Sequence, residues 1–133
     1  MSHQLSRTCR RVPPLICATA AIMVAAPAAA MSLSFSWAGM AACGTRPPGF
    51  TLSGVPHGTE RLSFRMIDLA VPSYPHGGGN IAYRGDRVPA GSFAYHGPCP
   101  PHGRHTYRWT VEALDGSGKV LARASAARPF PPR

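Results

Sequence analysis

An all-β fold, an antiparallel β-sandwich with long Gly/Pro-rich loops, is what this sequence predicts, and three observations carry it. Glycine (14) and proline (15) are together more than a fifth of the 133 residues, a load that breaks helices and favours short strands joined by turns. Apolar residues recur with a period of two in several windows, and no window sustains a helical period. Hydrophobic residues make up 44% of the chain, enough apolar surface for a core despite the turn-rich composition. A chain of this length holds one small domain.

The first thirty residues pose a separate problem. Arg7, Arg10 and Arg11 form a basic start, an apolar stretch runs from Leu15 to Ala26, and Pro27-Ala28-Ala29-Ala30 supplies the small residues that a signal peptidase reads. The expected organisation is a secretory signal peptide over 1–30 and a single β-sandwich domain over 31–133. The apolar run is shorter than the roughly 20 residues a membrane span needs, so no stable membrane insertion is expected. Export makes the protein periplasmic or secreted; with Met31 as the true start it is cytoplasmic. Cleavage after Ala30 leaves 103 residues with 11 basic and 5 acidic side chains, a net charge of +6. It also removes Cys9 and Cys17. The remaining pair, Cys43 and Cys99, reads as one disulfide in a small exported domain and as two thiols in a cytoplasmic one.

The elements follow in order along the mature chain. Leu33, Phe35 and Trp37 share one face, with Ser32, Ser34 and Ser36 on the other. Residues 41–49 form a loop around Gly44 and Pro47-Pro48-Gly49, before a short strand over Phe50–Ser53. After the Val55–Thr59 turn, Arg61–Asp68 alternates again, with Leu62, Phe64, Met66 and Asp68 in one parity. Pro72–Gly79 reads as a loop. Ile81–Tyr83 and Ser92–Tyr95 read as short strands around a Pro89-Ala90-Gly91 turn. His105–Leu114 is the clearest strand, with His105, Tyr107, Trp109, Val111 and Ala113 on one face. Asp115–Gly118 is a hairpin loop, Lys119–Ser125 the returning strand, and Arg128–Arg133 an extended tail.

Two of these strands put polar groups at the ends of apolar faces. Asp68 closes one face, and His105 and Tyr107 open another. Inward polar groups at the rim of a core need partners or carry a desolvation cost. If the strand ends meet, a carboxylate, an imidazole and a phenol converge. Such a site holds a small oxyanion, His105 and Tyr107 donating while Asp68 fixes the imidazole tautomer. The plainer alternative is a pair of strand ends reaching water.

The stretch Gly97-Pro98-Cys99-Pro100-Pro101, followed after four residues by Thr106-Tyr107 and later by Ala113-Leu114-Asp115, resembles the phosphatidylethanolamine-binding protein family, which includes bacterial Raf-kinase-inhibitor-like proteins. Upstream, Leu52-Ser53-Gly54-Val55-Pro56-His57-Gly58-Thr59 and Asp68-Leu69-Ala70-Val71-Pro72 are similar to further family segments, in the same order. The resemblance spans roughly residues 50–125. It implies a β-sandwich of that family's type, with a small pocket for phosphate-like or phospholipid head groups built from Asp68, Pro72, Gly97, Pro98, His105 and Tyr107. His76 stands where the family carries a pocket histidine between tryptophans. Ala70 replaces the motif's second aspartate, Thr106 replaces its arginine, and the chain is shorter than usual members.

Other chemistry is thinly represented. His96, Cys99, His102 and His105 recur every three residues, but this matches neither common zinc spacing, and a disulfide consumes Cys99, so no metal site is assigned. Nucleophile elbows, Walker loops and His-Glu-x-x-His are absent, and Gly77-Gly78-Gly79 lacks the Lys-Ser/Thr of a phosphate loop. The expectation is a non-catalytic protein with no cofactor. The arginines are spread along the chain without a nucleic-acid motif, so no nucleic-acid partner is expected. The expected ligand is a small anion or phospholipid head group. The alternative is a protein-interaction or inhibitor module whose pocket is vestigial.

Overall fold

The period-two stretches become two facing sheets. The computed structural model of the chain describes residues 29–133 together with Met23; the signal-peptide reading, Cys9 and Cys17 lie outside the described residues. Seven strands form among the described residues: β1 (Ser32–Phe35), β2 (Phe50–Ser53), β3 (Arg61–Asp68), β4 (Gly78–Ala82), β5 (Arg87–Val88), β6 (His105–Leu114) and β7 (Val120–Phe130). One sheet has the order β1-β2-β5 and the other β4-β3-β6-β7, with antiparallel pairing throughout. This is the all-β sandwich that the sequence predicts. Residues 31–133 hold every one of these strands and the whole buried core. Among the described residues, no helix is long and apolar enough to cross a membrane.

β3 and β6 occupy the centre of the larger sheet, paired from Arg61 opposite Leu114 to Asp68 opposite Tyr107. Their inward residues are the alternating sets of the sequence, and Leu62, Phe64, Met66, Tyr107, Trp109, Val111 and Ala113 are all buried. Leu33, Phe35, Phe50 and Leu52 close on them from the smaller sheet. Aromatic edges fill the space between: Phe50 meets Trp109 at 5.1 Å and 80°, and Phe35 meets Trp37 at 4.9 Å and 79°. Each such pair adds about 0.5–1.5 kcal/mol beyond the area it buries. The Trp109 indole N–H is the one buried side-chain polar atom without a partner among the described residues. That desolvation costs about 1–3 kcal/mol, which the packing of Phe50, Phe64, Phe93 and Tyr95 around the ring must outweigh.

The structure departs from the sequence reading in three places. β4 starts at Gly78, inside the expected 72–79 loop, because glycine lets two backbones approach. A Cβ at Gly78 would run into the Phe64 carbonyl, and one at Gly79 into the Phe93 ring. Ser92–Tyr95 is not a strand; Phe93 and Tyr95 pack into the core from an irregular segment, and the two-residue β5 pairs with β2 instead. β7 continues to Phe130, into the first half of the expected 128–133 tail. Pro129 is tolerated there because β7 is an edge strand, where a missing N–H need not break a ladder.

Cys43 and Cys99 form a disulfide across 56 residues. Beside it the 91–98 segment lies along 43–47, with Cys43 N–H donating to the Pro98 carbonyl, Gly97 N–H to Gly44 and Tyr95 N–H to Thr45. A Cβ at Gly97 would strike the Gly44 carbonyl, so glycine is what allows this approach. In the chain-entropy account, a cross-link over such a loop contributes about 4 kcal/mol.

Candidate functional site

The central strands bring their polar ends together. Asp68 ends β3 directly opposite Tyr107, and His105 opens β6 two residues earlier. Asp68 and His76 are the two buried polar or charged residues among those described, 5% and 3% exposed, and both line one cavity of about 370 Å³. His105 and Tyr107 line the same cavity. Two buried polar groups facing one hollow is an uncommon use of a small core.

Asp68 is satisfied on both oxygens. His105 Nδ1 lies 2.7 Å from Oδ2, and the Ala70 N–H donates to Oδ1 at 2.8 Å in a turn that caps the strand. Burial alone would raise the Asp68 pKa. The His105 hydrogen bond, the Ala70 N–H and the imidazole charge outweigh it and hold the carboxyl below its ordinary 3.8. Asp68 is therefore ionised at neutral pH, and the proton between the two groups sits on His105 Nδ1. Nε2 is the atom this ring has left for the cavity.

His76 reaches the same state by another route. Its Nδ1 lies 2.6 Å from the His96 carbonyl, which only accepts, so Nδ1 carries the proton and Nε2 is again the remaining polar atom. The His96 N–H donates back to the His76 carbonyl at 2.9 Å. Tyr107 neighbours both imidazoles, edge-on to His76 at 5.4 Å and stacked with His105 at 6.3 Å. Burial first, and the Asp68 carboxylate second, push the Tyr107 phenol up to about 12. The hydroxyl therefore keeps its proton and acts as a donor across the physiological range.

Loop residues complete the walls. Val71 and Tyr74 come from the turn after β3, and Cys99, Pro100 and Pro101 from the disulfide-anchored loop. Of the site residues expected from the sequence, Asp68, His76, His105 and Tyr107 meet at the cavity, while Pro72, Gly97 and Pro98 are not among its lining residues. Gly97 and Pro98 sit behind the wall, where their backbones bond to Gly44 and Cys43. Sequence reasoning missed Val71, Tyr74, Pro100 and Pro101 as lining groups. Their nearness in sequence to Asp68 and Cys99 was the available signal.

His96, Cys99, His102 and His105 do not assemble: no group of three or more metal-ligand side chains gathers among the described residues, and Cys99 is in the disulfide. A larger and more open groove, about 700 Å³, lies behind Trp37 between Arg104, Arg128 and Arg133. Its polar side chains are all exposed, so the smaller cavity is the better candidate for a built site.

No protein-family profile matches the chain, and no curated protein does. Solved structures do. A phosphatidylethanolamine-binding protein homologue from Chlamydia trachomatis, CT736, superposes with a TM-score of 0.56 at 18% identity, over 78% of this chain and 99% of that one. YbcL of E. coli, described as a new member of the mammalian family, gives 0.47 at 20% identity, over 67% and 82%. The chain thus has the phosphatidylethanolamine-binding-protein fold.

Proposed function

We propose that the strand-end cavity binds a small oxyanion, a phosphate or a phosphorylated head group, and does not turn it over. The observation that carries this reading is the pair of buried polar residues, Asp68 and His76, facing one cavity beside a phenol that keeps its proton. Tyr107 O–H and, in its imidazolium form, His105 Nε2–H donate to anion oxygens; Asp68 neutralises the His105 charge and fixes the ring. Both carboxylate oxygens already accept hydrogen bonds, from His105 and from the Ala70 N–H. His76 adds an Nε2 beside Tyr107 that is an acceptor while Nδ1 carries the proton, and so suits a protonated phosphate oxygen or an ammonium group of the ligand. The lining offers an oriented Asp–His pair but no serine, threonine, lysine or free thiol to act as nucleophile, which supports binding over covalent catalysis. The fold shared with a phosphatidylethanolamine-binding homologue adds support for a phosphorylated ligand. On this reading the protein is an exported, cofactor-free binding module of that family.

Titration of isotope-labelled residues 31–133 with phosphate and phosphoethanolamine, with chelator present, tests this by NMR. Saturable shifts confined to the amides and imidazoles around Asp68, His76, His105 and Tyr107 are expected. They should vanish in His105→Gln while the rest of the spectrum is kept. Absence of any localised shift at millimolar ligand overturns the reading.

A further inference from the structure

A sheet edge displays backbone N–H and C=O groups that pair readily with another chain, and proteins blunt such edges with charge, proline, bulges or cover. Among the described residues, three of the sandwich's sheet edges are blunted in these ways. β1 closes on β7: its Phe35 carbonyl accepts from Arg128 Nε, and the Trp37 indole donates to the Arg128 carbonyl. β5 is two residues long and runs into Pro89. β7 carries Arg123, Arg128 and Pro129, with a register shift opposite its start. The edge that remains is β4, Gly78-Gly79-Asn80-Ile81-Ala82, which has neither charge nor proline.

The ladder fixes which atoms of β4 are free. Met66 N–H donates to the Gly77 carbonyl and Tyr83 N–H to the Glu60 carbonyl, and Gly79 and Ile81 continue that register opposite Phe64 and Leu62. Bonded pairs alternate along an antiparallel ladder, so Gly79 and Ile81 face β3 while Asn80 and Ala82 turn N–H and C=O away from it. Both residues are exposed, and neither N–H has a partner among the described residues.

A hollow lies on each side of this edge. On the outer face Arg65 stands opposite Gly78 in a hollow shared with Ser63 and Asn80, with no side chain at 78 between the guanidinium and the edge. On the inner side a hollow of about 250 Å³ lies between Ile81 and Val88, walled by Pro89 and by Arg84 and Arg87. Side chains of an added strand alternate between these two faces. The row of backbone donors and acceptors matches another polypeptide backbone, a pattern that lipid does not offer. Charge then selects among polypeptides. Arg65, Arg84 and Arg87 make no ion pair among the described residues, and Asp86 beside them accepts from the Tyr83 hydroxyl. A second copy fits poorly, since antiparallel pairing about Asn80 puts Ala82 of one copy opposite Gly78 of the other and brings Arg84 close to Arg65.

We propose that β4 takes up an extended acidic peptide segment of a partner protein as a fifth strand of the larger sheet, antiparallel like the others. Carboxylates of the segment lie over Arg65, and an apolar side chain on its other face enters the Ile81–Val88 hollow. The edge shares no residue with the strand-end cavity, so this goes beyond the anion-binding reading and is tested apart from it.

The experiment is an NMR titration of isotope-labelled residues 31–133 with a short, end-blocked peptide that alternates glutamate and valine. Saturable shifts are expected at 78–82 and at Arg65, weaker as salt rises, and absent with the lysine–valine counterpart. Asn80→Pro removes an N–H that β3 does not use, and it should weaken binding roughly ten-fold or more. Arg65→Gln should weaken it roughly three-fold. His105→Gln should bind the peptide like the parent even as its phosphate response disappears. Because a proline also stiffens the strand it enters, amide exchange supplies a second measurement on the unmodified chain. The peptide should slow exchange at Asn80 and Ala82, while Gly79 and Ile81 are protected with or without it. No shift at 78–82 at millimolar peptide, equal binding of the lysine–valine peptide, unchanged exchange at Asn80 and Ala82, or a folded Asn80→Pro variant of undiminished affinity overturns the proposal. So do concentration-dependent shifts of 78–82 without peptide, which would make β4 a self-pairing edge.

Discussion

Replacing Asp68 by asparagine removes one acceptor and almost no volume, and the structure gives the size of the effect. The carboxylate accepts from two donors on two oxygens, His105 Nδ1–H at 2.7 Å and Ala70 N–H at 2.8 Å. Asparagine has one carbonyl oxygen, so one of these donors must face an NH2 group. A buried donor stripped of its acceptor costs about 1–3 kcal/mol. We therefore expect Asp68→Asn to lose about 2 kcal/mol at pH 7, readable against the roughly 5–15 kcal/mol of an ordinary domain.

The pH dependence sharpens this test. The folded pKa of Asp68 lies below its ordinary 3.8, so the stabilisation from its charge is complete above 3.8 and is lost as pH falls through the folded value. A protonated carboxyl, like the amide, has one carbonyl acceptor. The gap between parent and variant should therefore be full at neutral pH and narrow only in acid. Urea melts followed by the fluorescence of buried Trp37 and Trp109 supply the numbers. Equal stability at pH 7, or a gap that persists unchanged once Asp68 is protonated, would refute the reasoning.

Further outcomes follow from the same geometry. Replacing Cys43 and Cys99 together by serine should lower stability by up to about 4 kcal/mol in urea, and weaken phosphate binding because the Cys99–Pro101 wall is no longer anchored. Gly78→Ala should cost about 2 kcal/mol or more, because the new methyl meets the Phe64 backbone rather than a movable side chain. A melt within about 0.5 kcal/mol of the parent would show that β4 does not lie against β3 in solution.

β3 and β6 were fully legible in the sequence, with the same ends as in the structure, because each alternates without interruption against a buried face. β4 was read late because Gly78 and Gly79 have no side chain to alternate; the strand exists through backbone pairing with Arg65 and Phe64. Ser92–Tyr95 misled in the opposite way. Phe93 and Tyr95 alternate like a strand, yet they reach the core from a segment with no ladder. Pro129, which the sequence reading leaves in an extended tail, is harmless on a sheet edge. At the site, parity alone picked out Asp68, His105 and Tyr107, since they sit on strands whose direction is fixed. His76 was placed by resemblance, and its pairing with the His96 carbonyl depends on two loops meeting. The lining by Tyr74 and Pro101 depends on tertiary folding in the same way.

A crystal structure of residues 31–133 grown with a phosphomonoester tests the central claim most directly. We predict phosphate density in the 370 Å³ cavity, with oxygens in hydrogen-bond reach of His105 Nε2 and the Tyr107 hydroxyl. Density confined to the arginine groove behind Trp37, with the Asp68–His105 cavity empty of anion, would contradict it.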